Sequence, residues 1–309
     1  MYRKRMNTLS SHPARQHRLS ALKPALSHAV RGQSEAIENL TEVVECRELE
    51  MIPPQGCRAA VILIGPTGVG KTEVAKALAL ALFGPGHLAQ FDASEFALPQ
   101  SLEVALGDGH QIRGRLASAY EQVPEGVWLF DEIEKGCPEF KDLLIQITYE
   151  GKVTLASGKT LDFANLYVIA TSNLGSREIL EREHLPFTSL EEHVIERLEH
   201  WFRPELLARF EAPIVFRSLD WDTQKEIVRK RLDELLAWQR ERHRRPLTYG
   251  EDVVEFLLAT GFSPRYGARP LLRTINRWVA RAILRAIRDG QNGSGRLVVE
   301  GEQLRVAPQ

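Results

Sequence analysis

The chain has 309 residues, 43% of them hydrophobic and 26% charged, with a formal net charge of −1. That is material for two domains with sizeable cores, and the charge balance excludes a uniformly basic nucleic-acid binder while leaving room for local patches. Three cysteines (Cys46, Cys57, Cys137) show no metal-ligand spacing and are too few and odd in number for a disulfide framework.

Arg3, Lys4, Arg5, Arg15, Arg18, Lys23 and Arg31 all precede the first acid, Glu35. Residues 1–32 therefore read as a basic, solvated, disordered arm, with electrostatic contact to nucleic acid or an acidic partner as the alternative. The arm lacks the apolar stretch of a secretory signal, while its composition leaves a transit peptide open. From Gln33 to Glu50 the spacing of Ile37, Leu40, Val43 and Val44 predicts a helix with Ser34 as N-cap. The prolines of "MIPPQGC" end it. "AAVILI" is a continuous apolar run suited to a strand buried on both faces of a parallel sheet, and "EVAKALALALF" is a helix stopped by "GPG". Further strand-like runs at "HLAQFDA", "VWLF", "LYVIAT" and "APIVF" alternate with helical segments, which predicts an α/β domain with a mainly parallel sheet over 33–216. Beyond Arg217 the pattern changes: a long charged helix from Asp220 to Arg245, helices at "EDVVEFLLATG" and "ARPLLRTINRWVARAILRAIRDG", and a strand pair at "RLVVEG" and "QLRV". Residues 217–309 are expected to form a small, mostly helical domain. No apolar run reaches membrane-spanning length, so no membrane partner is expected, and the unpaired cysteines suit a reducing cytoplasm.

The strongest chemistry lies in "GPTGVGKT": Gly65, Pro66, Thr67, Gly68, Val69, Gly70, Lys71 and Thr72. It has the G-x-x-x-x-G-K-[ST] pattern between a strand and a helix, where backbone N–H groups and the helix N-terminus cradle phosphates. Lys71 would reach the β- and γ-phosphates of ATP, and the Thr72 hydroxyl would ligate Mg²⁺. "VWLFDEIEK" ends a second strand in Asp131, placed to hold Mg²⁺, and Glu132, placed as general base towards water. An isolated Asp-Glu pair is ordinarily solvated charge; the apolar strand and the upstream loop give this one its meaning. "LYVIATSN" brings Thr171, Ser172 and Asn173 to the same edge, where Asn173 can orient water or touch the γ-phosphate, though Thr-Ser-Asn is also common turn chemistry.

With these motifs in order, the chain resembles the Clp-type AAA+ ATPases, specifically the second ATPase domain of the Clp disaggregases with its small C-terminal domain, from about Val30 to Val306. "GPTGVGKTEVAKALA", "DASEF", "LFDEIEK", "GKTLDFANLYVIATSNLGS", "FRPELLARFEAPIVF" and "GFSPRYGARPLLRTI" carry the resemblance. It implies that Arg209 is an arginine finger reaching a neighbouring subunit's ATP site, and that Arg269 is a sensor arginine of the small domain. It further implies a homo-oligomer, a hexameric ring, a protein client, and a small domain that moves as a lid during ATP hydrolysis.

One segment departs from the family. After "SEF" the family carries a longer loop with a G-Y-V-G core whose aromatic residue grips substrate. Here only "GDGHQI" and its flanks intervene, and His110 and Ile112 are the bulky candidates at its tip. No recruiting domain is seen ahead of the ATPase, and no Leu/Ile-Gly-Phe/Leu tripeptide of the peptidase-docking kind occurs in the large domain. Three functions follow as expectations: an ATP-driven remodeller of a protein partner with an atypical short pore loop; a nucleotide-switched oligomeric scaffold; or a nucleic-acid-associated AAA+ ATPase using the arm and "RERHRR", 240–245.

Overall fold

The computed structural model describes residues 12–53, 55–108, 113–211, 213–263, 267–291 and 293–308. They form two compact units, one within residues 12–65 and 70–217 and one within residues 66–69 and 218–308. His110 and Ile112 lie outside the described residues.

The first unit is built on strands β1 (Ala59–Ile64), β2 (Leu88–Asp92), β3 (Gly126–Asp131), β4 (Lys152–Thr154), β5 (Thr160–Asp162), β6 (Leu166–Ser172) and β7 (Pro213–Val215). Five of them form one parallel sheet in the order β2-β3-β6-β1-β7. All six residues of β1 and all seven of β6 are buried, as continuous apolar runs in a doubly covered parallel sheet require. Since every strand runs the same way, their carboxyl ends share one edge, the edge at which such sheets bind ligands. An aromatic cluster clamps β3 from one side: the Phe91 and Phe130 rings are 4.9 Å apart, Trp128 and Phe163 5.0 Å, and Phe96 and Phe140 4.7 Å. Pairs of this kind are worth about 0.5–1.5 kcal/mol each beyond their buried area, and they fix the strand that delivers Asp131. The antiparallel β4–β5 hairpin was not anticipated from sequence.

The sheet is covered by α1 (His12–Ala29), α2 (Ser34–Glu48), α3 (Lys71–Phe83), α4 (Leu102–Leu106), α5 (Arg115–Gln122), α6 (Pro138–Ile145), α7 (Ser176–Glu181), α8 (Phe187–Leu198) and α9 (Pro204–Leu207). The first of these corrects the reading of residues 1–32 as a disordered arm. Between His12 and Ala29 the chain is helical and packs against α2 and α3. Leu19, Leu22 and Leu26, at helical spacing, are buried together with Val30. Two of the arm's cations also bond within this unit: Arg15 Nε donates to Glu48 Oε2 at 3.2 Å and Arg18 Nη1 to the Leu82 carbonyl at 3.2 Å. The cap of α2 is likewise Gln33 rather than Ser34. Gln33 is buried because its amide clips to the end of the unit, donating to the Arg217 carbonyl at 3.1 Å and accepting the Arg217 N–H at 3.0 Å.

The second unit holds α10 (Trp221–His243), α11 (Glu251–Gly261) and α12 (Ala268–Arg288) with strands β8 (Leu247–Thr248), β9 (Gly295–Glu300) and β10 (Gln303–Pro308) in the order β10-β9-β8. Asp220 caps α10 by accepting the Thr223 N–H at 2.8 Å. Leu232, Val253, Leu257, Leu271, Ile275 and Leu297 form a core of its own. The chain is thus a parallel-sheet α/β unit followed by a small helical unit with terminal strands. Among the described residues no helix is long and apolar enough to cross a membrane.

Candidate active site

Strand β1 ends at Ile64 and α3 begins at Lys71, so the glycine-rich loop turns at the carboxyl edge of the sheet. Gly70 opens α3 with φ +113°, and a Cβ there would stand 2.5 Å from Val30 Cγ1. Only glycine meets both conditions, because that φ strains any side chain and Val30 occupies the space. Lys71 is buried at 7% exposure. Its Nζ donates to the Gly65 carbonyl at 2.5 Å and to Asn173 Oδ1 at 3.0 Å.

Asp131 closes β3 in register with Asp92 at the end of β2. Its Oδ1 accepts from Thr72 Oγ1 at 3.1 Å and from Thr171 Oγ1 at 3.0 Å, and its Oδ2 from Gln90 Nε2 at 2.6 Å. The next residue, Glu132, adopts φ 57°, ψ 51°. A left-handed backbone at a non-glycine residue costs about 1–3 kcal/mol and collects at functional sites. Its N–H donates to Thr171 Oγ1 at 3.0 Å, Asn173 Nδ2 donates to its Oε1 at 3.1 Å, and Lys135 pairs with its Oε2. Burial works to raise the Glu132 pKa, but the hydrogen bond and charge of Lys135, with help from Asn173, outweigh it and hold the carboxyl below its ordinary range. Glu134 Oε1 accepts the Asn173 N–H at 3.0 Å. Asn173 thereby bridges Lys71 and Glu132, linking the glycine-rich loop to the candidate base.

Of the residues chosen from sequence, Thr72 meets Asp131, and Lys71, Asn173 and Glu132 form one chain of hydrogen bonds. Arg209 lies elsewhere. It precedes β7, and Glu211, two residues on, donates its N–H to the Ala60 carbonyl at the start of β1. That is the amino edge of the sheet, whereas the loop turns at the carboxyl edge. At about 3.3 Å per residue, Ala60 and Gly65 are roughly 16 Å apart along the strand. Arg269 is exposed in the first turn of α12, and within the second unit it lines a cavity of about 540 Å³ together with Thr67, Arg273 and Arg277. Gln90, Glu134 and Lys135 had not been singled out, and Thr171 had been noted only for its place at the edge. Lys135 carried a signal, three residues after Glu132 in "DEIEK". Gln90 carried none, since its reach to Asp131 depends on strand pairing.

The profile of the family described as AAA domain (Cdc48 subfamily) matches residues 58–212, half of the chain. The chain belongs to the AAA ATPase family. In this AAA chain, residues 219–299 match a second family, the C-terminal D2-small domain of ClpB protein. The chaperone protein ClpB 1 of Synechococcus elongatus is 37% identical over 298 residues, covering 93% of this chain and 34% of its own. Heat shock protein 100 of Trypanosoma brucei brucei is 34% identical, covering 87% of this chain and 32% of its own. The AAA chain spans about a third of the length of the curated relatives it matches. A cryo-EM reconstruction of closed-state Hsp104 with ATPγS and FITC casein superposes with a TM-score of 0.84 at 28% identity, covering 97% of this chain and 53% of that one.

ATP and Mg²⁺ fit the residues present. The loop's glycine leaves no side chain at the head of α3, and buried Lys71 stands at that helix N-terminus. Among the described residues no group of three or more His, Cys, Asp or Glu side chains is placed to hold a metal alone. Mg²⁺ is ordinarily held by one or two protein oxygens completed by phosphates and water, and Thr72 Oγ1 and Asp131 Oδ1, 3.1 Å apart, suit that arrangement.

Proposed function

We propose that this chain hydrolyses ATP with Mg²⁺ and uses the energy, in a hexameric ring of its own copies, to remodel a protein partner. The observation that carries this reading is the single hydrogen-bonded chain from Lys71 through Asn173 to Glu132, beside the Thr72–Asp131 pair. Bound Mg²⁺–ATP supplies a γ-phosphoryl group polarised by the cation.

The protein's own groups do the rest. Loop N–H groups and Lys71 hold phosphate oxygens; Thr72 and Asp131 hold the cation. Glu132, ionised at neutral pH, accepts a proton from the attacking water, and Asn173 fixes its carboxylate. Arg209 lies by the amino edge of the sheet, away from its own loop, which supports its delivery to a neighbouring copy, where it offsets transition-state charge. Arg269 plays the corresponding part from the small unit. Remodelling rests on the likeness to ClpB and Hsp104, the latter reconstructed with a protein, casein. The shortened loop between "DASEF" and α5 favours a narrow client set.

Arg15 and Arg18, engaged inside their own unit, weigh against nucleic-acid binding through the arm. The test is capture from host lysate by the Glu132→Gln variant with ATP, with and without nuclease. Protein retained only with ATP and insensitive to nuclease is the expected result. Retention of nuclease-sensitive nucleic acid, or of nothing at all by an assembled ring, would overturn the reading.

A further inference from the structure

At the amino edge of the sheet a cavity of about 190 Å³ is lined by Arg47, Cys57, Thr148, Tyr149, Arg209 and Glu211, among others. The Arg209 guanidinium carbon lies 3.7 Å from the centre of the Tyr149 ring. Its Nε is buried with no hydrogen-bond partner, and among the described residues its guanidinium makes no ion pair. Glu211, two residues on, lines the same cavity. Here Glu211 is taken: Arg47 Nε donates to its Oε1 at 2.8 Å, Arg47 Nη2 contacts the same oxygen, and both side chains are largely buried.

The backbone that carries this ring is held by its neighbours. Beyond α6 the chain widens into a π-helical turn over Gln146–Glu150, a feature concentrated at functional sites. Thr148 Oγ1 donates to the Leu144 carbonyl at 2.8 Å, and the Thr148 carbonyl accepts the Cys57 N–H at 3.3 Å. Gly56 packs so closely that a Cβ there would stand 1.9 Å from the Thr148 carbonyl oxygen. Tyr149 nonetheless keeps 45% of its surface exposed. An aromatic face thus carries a cation at the molecular surface, and the Glu211 carboxylate that shares the cavity is engaged by Arg47.

We propose that Tyr149 and Arg47 are positioning residues for Arg209. Tyr149 props the guanidinium by a cation–π contact, and Arg47 withholds the Glu211 carboxylate that would otherwise neutralise it. The charge is thereby kept free for a neighbouring copy. This inference rests on the reading of Arg209 as a finger acting between copies.

The test is steady-state ATPase activity at concentrations where the chain assembles. Arg209→Ala should lower kcat by about a thousandfold or more; unchanged kcat in that variant would refute the finger reading itself. If it falls as expected, Tyr149→Ala should lower kcat about tenfold with KM within about twofold, and Tyr149→Phe should restore it. Arg47→Met should lower kcat similarly, and adding Glu211→Gln should recover it, since the released carboxylate is then gone. Mixing Tyr149→Ala copies with Glu132→Gln copies should raise activity above either alone, because intact sites then meet intact fingers; a merely misfolded Tyr149→Ala copy gains nothing. Wild-type kcat in Tyr149→Ala or Arg47→Met, or no recovery on mixing, overturns the proposal while leaving Arg209 as the finger.

Discussion

Replacing Thr171 with valine tests whether the strained backbone of Glu132 is part of catalysis. Thr171 is 2% exposed, and its hydroxyl joins two residues, accepting the Glu132 N–H at 3.0 Å and donating to Asp131 Oδ1 at 3.0 Å. Valine keeps the side-chain volume, so no cavity opens and the loss is confined to those two bonds. A hydrogen bond to a carboxylate contributes about 1.5–3 kcal/mol and one between neutral groups about 0.5–1.5 kcal/mol. Together they set an expected loss of about 2–4.5 kcal/mol in unfolding free energy. The left-handed conformation of Glu132 costs about 1–3 kcal/mol, and without the Thr171 acceptor the backbone relaxes and takes the carboxylate with it. A fall in kcat of about 10–100-fold is expected, equivalent to about 1.4–2.8 kcal/mol. Denaturant unfolding and steady-state ATPase assays read the two quantities separately, and Thr171→Ser, which keeps the oxygen, should restore kcat and the hydrogen-bond share of the stability, short only of the deleted methyl. A variant with the expected stability loss but kcat within twofold of wild type would refute the catalytic part of this reasoning.

Leu22→Ala should cost about 2–5 kcal/mol, because Leu22 is fully buried in α1; a loss under about 1 kcal/mol in urea unfolding would mean that α1 adds nothing to the core. Gly70→Ala should destabilise the fold and weaken nucleotide binding at least tenfold, since the new methyl meets Val30 and the φ of +113° stays strained; unchanged affinity by calorimetry would contradict it. The Cys57 thiol is pushed up to about 12, chiefly by burial and then by the Glu211 charge. Raised from 9.0, it stays protonated at pH 8, and the stability tied to its neutral form is present below pH 9 and declines as pH rises toward 12. Alkylation of the native protein at pH 8 should therefore mark half-exposed Cys46 and spare Cys57 until the chain unfolds, and mass spectrometry of the labelled peptides decides it.

The parts of this molecule that could be read from sequence are those where chemistry and element lie side by side. "AAVILI" before "GPTGVGKT" declares a strand, a turn and a helix within fourteen residues, and the Asp131–Glu132 pair is read the same way from its strand. What escaped is what the fold brings from afar. Thr171 and Asp131 meet because β6 pairs with β3, and Tyr149 meets Arg209 across sixty residues of chain. The helix at His12–Ala29 escaped for another reason. Its leucines are spaced at helical intervals, but Pro24 lies inside it and arginines outnumber acids throughout, so charge hid a buried face. Ser34 has the chemistry of a cap, yet Gln33 holds that position because its amide is needed to bind the far end of the unit.

Because the five parallel strands share one direction, the unit has a donating end and a receiving end. On the reading that Arg209 serves another copy, no site is complete in a single molecule, and a head-to-tail arrangement fills the sites in turn. Such a series either closes on itself or leaves one unserved site at its tip. Turnover per molecule should then rise with protein concentration and vanish on dilution, while nucleotide binding persists. A dispersed pool of the protein would hold its nucleotide without consuming it.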